Sequence, residues 1–76
     1  MLSRRKKLVV TFFTSSAAMA TEKLCKEKNI DGKLISAPRE LSSDCGIAFA
    51  ADVDKKYELE QALDEKKIEY ENMVVI

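Results

Sequence analysis

From Leu8 to Phe13 the chain reads Leu-Val-Val-Thr-Phe-Phe, apolar on both parities, the pattern of a strand covered on both faces or nearly so. Its β-branched and aromatic side chains suit a pleated ladder, so this segment is strand one. The hydroxyls of Thr14, Ser15 and Ser16 follow. Then Ala17, Ala20, Thr21, Leu24 and Cys25 recur at i, i+3, i+4, i+7 and i+8. That spacing predicts a capped helix from about Ser16 to Lys28 with one apolar stripe. Asn29, Asp31 and Gly32 supply turn and C-cap chemistry around Ile30, whose branched side chain can fold back under the last helical turn. Lys33 to Ser36 is a short strand candidate stopped by Ala37-Pro38. Proline has no amide hydrogen to extend a ladder, which places this strand at or near a sheet edge.

A polar connection runs from Ala37 to Asp44. Gly46 to Ala51 then alternates large and small side chains, with Ile47 and Phe49 on one parity, as in a strand packed under helices. Asp52 or Asp54 can cap a second helix whose stripe is Leu59, Ala62 and Leu63. Lys66 and Lys67 suit the negative end of that helix, and Ile68 to Ile76 resume an extended pattern as strand four. The order β-α-β-β-α-β predicts an α+β, ferredoxin-like sandwich: a four-stranded antiparallel sheet, order 4-1-3-2, with two helices on one face. The other face is left for solvent, a ligand or a partner chain. With no internal repeat and no long linker, the chain divides into a basic lead-in, 1–6, and a single domain, 7–76.

Length and composition narrow the chemistry. At 76 residues, 46% apolar and 34% charged, the chain holds one core, and no stretch reaches the ~20 apolar residues of a bilayer helix. Histidine is absent, and two cysteines cannot build a four-ligand zinc cage, so no metal, cofactor or histidine triad is expected. Thirteen basic residues balance thirteen acidic ones, and pI is near 6.3. The domain-wide positive field of a nucleic-acid binder is missing. The charges are nonetheless segregated: Arg4, Arg5, Lys6 and Lys7 open the chain, while residues 52–71 carry eight acids against four bases. The basic run reads as a solvated lead-in. Followed by Leu8 to Phe13 and Ala18-Met19-Ala20, it imitates a secretory leader, but the apolar run is short and contains Thr11. The segment is read as folded protein in the cytoplasm, where cysteines persist as thiols.

Cys45 stands where the polar loop meets strand three, after Ser42-Ser43-Asp44 and before Gly46, which lets backbone bend or approach a ligand. Arg39 can favour a thiolate electrostatically, and Ser42 and Ser43 can hydrogen-bond an anion; Asp44 opposes ionisation. The competing structural role for Cys45 is a buried thiol acting as a small hydrophobe. For Cys25, on the apolar stripe of helix one, core packing is the preferred role.

Lys7-Leu8-Val9-Val10-Thr11-Phe12, Ala18, Leu24, Gly32-Lys33-Leu34-Ile35 and above all Ala37-Pro38-Arg39-Glu40-Leu41-Ser42-Ser43-Asp44-Cys45-Gly46-Ile47-Ala48 resemble the bacterial selenium/sulfur (Se/S) carrier protein-like family. The resemblance extends from about Lys7 to Val75, including Ile68-Glu69-Tyr70-Glu71. It implies a carrier rather than a stand-alone enzyme, with Cys45 as carrier thiol, Pro38, Arg39 and Gly46 as motif neighbours, and sulfur or selenium donor and acceptor proteins as partners. Asp44 departs from the small residue such sequences carry there.

Two rivals share the architecture. An RNA-recognition module would match Gly46-Ile47-Ala48-Phe49-Ala50 in part, but Cys45 and Ile47 replace the basic and stacking residues its contacts need. A metal chaperone needs paired thiolates, and there is no CxxC. The stronger alternative is a non-catalytic ligand-binding or interaction module with a structural Cys45, for which Phe13, Met73, Val75 and Ile76 offer apolar surface. So short a chain also gains from pairing as a homodimer.

Overall fold

In a computed structural model, which describes residues 7–37 and 46–75, the elements follow the expected order. Strand β1 is Lys7–Thr11, helix α1 Ser15–Glu27, β2 Gly32–Ser36 and β3 Ile47–Asp52; a 3₁₀ turn at Val53–Lys55 leads into α2, Lys56–Glu65, and β4 is Asn72–Val75. All three strand pairs are antiparallel, in the order β2-β3-β1-β4. This is the anticipated 4-1-3-2 sheet, with the apolar β1 and β3 in the middle.

The even positions of β1 show why the helices settle where they do. Leu8 and Val10, with Phe12 just beyond the strand, are fully buried and join Phe49 and Ala51 of β3 in one core with Ala18, Leu24 and Cys25 of α1 and Leu59, Ala62 and Leu63 of α2. Register carries the same parity outward: Val10 lies opposite Phe49 and Met73, and Leu34 opposite Phe49. On the opposite face, expected to be open, the centre is closed: Val9 is 1% exposed, and Thr11 and Ala48 are 0% exposed. The flanks of that face, such as Ile35 and Val74, are half-buried.

Both helices end in the same device. After α1, Asn29 turns to φ 59, its N–H reaches the Lys26 carbonyl, and the Ile30 N–H donates to Cys25 at 2.8 Å. After α2, Lys67 takes φ 54, its N–H reaches Asp64, and the Ile68 N–H donates to Leu63 at 2.9 Å. These are paired Schellman closures, each satisfying orphan carbonyls and folding an isoleucine back toward the core. Ile30, buried, behaves as its sequence position implied.

Three local expectations change. Asp52 precedes a 3₁₀ turn and makes no side-chain cap bond, and neither does Lys55 at the start of α2. Lys66 and Lys67 lie beyond the last helical turn, because the left-handed residue at 67 ends the helix at Glu65. Strand four shortens to Asn72–Val75, since residues 68–71 are spent returning the chain from the α2 closure to the sheet.

Candidate functional site

Strand polarity brings three connections to one end of the sheet: the β1–α1 turn, the β2–β3 connection and the α2–β4 return. The β2–β3 connection is pinned at its base, where the Ala37 N–H donates to the Gly46 carbonyl at 3.0 Å and Ser36 pairs with Ile47. Gly46 itself has φ +74 and is exposed, and a Cβ built on it would meet nothing within 4 Å. The glycine is therefore required by backbone handedness and not by crowding. Of the residues singled out from the sequence, Gly46 is placed at this end; Pro38, Arg39, Ser42, Ser43 and Cys45, with the neighbouring Asp44, lie outside the described residues.

Thr14 caps α1, its Oγ1 accepting from the Ala17 N–H at 3.2 Å, and no acidic residue occupies the first helical turn. The positive end of the α1 dipole thus reaches this end of the molecule without a neutralising side chain from its own first turn. Phe12 is buried beneath the turn, whereas Phe13 is 48% exposed beside it.

Two polar atoms that sequence reasoning did not single out also gather here. Thr11 Oγ1 and Glu71 Oε1 are buried with no hydrogen-bond partner among the described residues, and the Glu71 N–H donates to the Thr11 carbonyl at 2.6 Å. Thr11 pairs with Ala48 on one side and Asn72 on the other, two residues along β3 from Gly46. The signal in the sequence was a single hydroxyl inside the apolar run Leu8 to Phe13. Thr21, by contrast, is buried but satisfied, since its hydroxyl donates to the Ala17 carbonyl at 2.9 Å.

Cys25 is sealed in the core at 1% exposure, and burial pushes its thiol up to about 11 from an ordinary 9.0. Desolvation disfavours the thiolate, the form that reacts, so this sulfur is a packing group. Among the described residues no cluster of three or more Cys, Asp or Glu side chains is placed to hold a metal ion, and no helix is long and apolar enough to cross a membrane.

Elsewhere, Lys28, Ile30, Tyr57, Gln61 and Glu65 line an open groove of about 820 Å³ between the C-terminus of α1 and α2. Its polar groups are largely spent on one another: Lys28 Nζ meets Glu65 Oε1 at 3.0 Å, Gln61 Nε2 donates to Tyr57 Oη at 2.8 Å, and Glu58 lies 3.8 Å from Lys55. The hydrogen bond from Lys28 holds the Glu65 carboxyl below its ordinary range. The end of the sheet at Gly46 remains the better candidate.

A family model described as "Putative Se/S carrier protein-like" matches residues 7–75. No curated protein and no solved structure matches the chain.

Proposed function

The chain belongs to the Se/S carrier protein-like family, and from that premise we propose that it carries sulfur or selenium on Cys45. The observation that carries this reading is the match over residues 7–75, which takes in both the Cys45-Gly46 step and the sheet end that anchors it. Support also comes from Gly46, exposed with a left-handed backbone and open space beside it, and from the α1 N-terminus at the same end. In this reading the sequence neighbours Arg39, Ser42 and Ser43 are the candidates to favour the thiolate, by positive charge and by hydrogen bonds to an anion, and Pro38 and Gly46 are the motif residues that flank them.

In the transfer step the Cys45 thiolate attacks the outer sulfur of a donor persulfide, R–S–SH. The new bond is Cys45 Sγ–S, the donor's S–S bond breaks, and the donor leaves as its thiolate while the proton stays on the transferred sulfur. A selenium cargo moves by the same displacement from R–S–SeH. An acceptor thiolate then repeats the attack on the loaded carrier. Electrons balance within each exchange, and no histidine is needed. A reducing, cytoplasmic setting keeps the resting thiol available.

The test is intact-mass measurement after incubating reduced protein with glutathione persulfide. Wild type is expected to gain one labile sulfur that dithiothreitol removes, and Cys45→Ala is expected to gain none. Equal adducts on both proteins would sink the proposal and leave the non-catalytic binding or interaction module as the surviving reading. Homodimer formation is the second part of the proposal, since a chain of this length buries only ~60% of its extended surface and pairing adds to that burial. A single monomeric mass in light scattering across the micromolar range would refute it.

A further inference from the structure

We draw no further inference here: the strongest candidate, the buried Thr11 hydroxyl at the Gly46 end of β1 with no partner among the described residues, belongs to the site already described, and assigning it a ligand would rest on residues 38–45, which lie outside the described residues.

Discussion

Thr11 sets a puzzle in hydrogen bonding: a hydroxyl with no exposed surface and no described partner loses its water without compensation. Such a group costs about 1–3 kcal/mol, whereas a methyl of the same shape costs nothing there. Thr11→Val should therefore raise stability by about 1 kcal/mol in urea denaturation; a fall would mean the hydroxyl has found a partner such as Glu71. Lys67 presents a backbone version of the same problem. Its φ of 54 strains a residue with a Cβ by about 1 kcal/mol, so Lys67→Gly should shift the urea midpoint upward without changing the slope. Gly32 behaves oppositely, because a Cβ there would sit 2.5 Å from the Phe49 ring and 2.7 Å from the Ala50 carbonyl oxygen. The ring can shift but the strand backbone cannot, and Gly32→Ala should cost about 1–3 kcal/mol by the same measurement. Cys25 adds a pH dependence. With its folded value near 11 and its ordinary value at 9.0, the folded state holds the proton longer than the unfolded one. Its contribution is complete below about pH 9 and drains away as pH rises toward 11. Chemical denaturation of Cys25→Ala should show a weaker loss of stability across that interval.

At the level of elements, the chain's patterning foretells type and order better than ends. The apolar run from Leu8 announces a central strand because its character ignores parity, although the strand ends at Thr11 and Phe13 is exposed; of the expected α1 stripe, Thr21, Leu24 and Cys25 are buried, joined by Ala18, while Ala17 is half-buried and Ala20 exposed. Boundaries are less legible because they depend on backbone conformations that side-chain pattern does not encode. Asn29 is a recognisable left-handed residue, but Lys67 looks like an ordinary C-terminal helix cation and is instead the residue that ends α2. The missing Asp52 cap has a similar origin: the 3₁₀ turn at Val53–Lys55 occupies the place where an N-cap bond would form. Cys45 was readable as candidate chemistry from its neighbours in sequence; the burial of the Thr11 hydroxyl was hinted at by its place in an apolar run, while that of the Glu71 carboxylate oxygen emerges only from the fold. The α2 helix has a short stripe and depends on it heavily, with Leu59 and Leu63 fully buried. Leu59→Ala should cost about 2–5 kcal/mol, seen as an early loss of helical circular dichroism on heating.

For the whole molecule, the sheet order gathers different connections at its two ends. Gly46, the α1 N-terminus and the α2–β4 return share one end, while the start of β1 at Lys7 and the turn at Val53–Lys55 share the other. On the proposed carrier role for Cys45, and with Cys25 buried in the core, the two thiols should differ in the native state. Iodoacetamide at neutral pH is expected to modify Cys45 promptly and to reach buried Cys25 only after unfolding, with peptide mapping identifying each site; equal rates before denaturation would contradict that division. The five-residue span of β1 places roughly 17 Å between these ends. An affinity handle grafted at Asp54 would consequently stand the molecule upright on a sensor chip, leaving Gly46 uppermost and candidate partners free to be screened in flow without the tether competing for their approach.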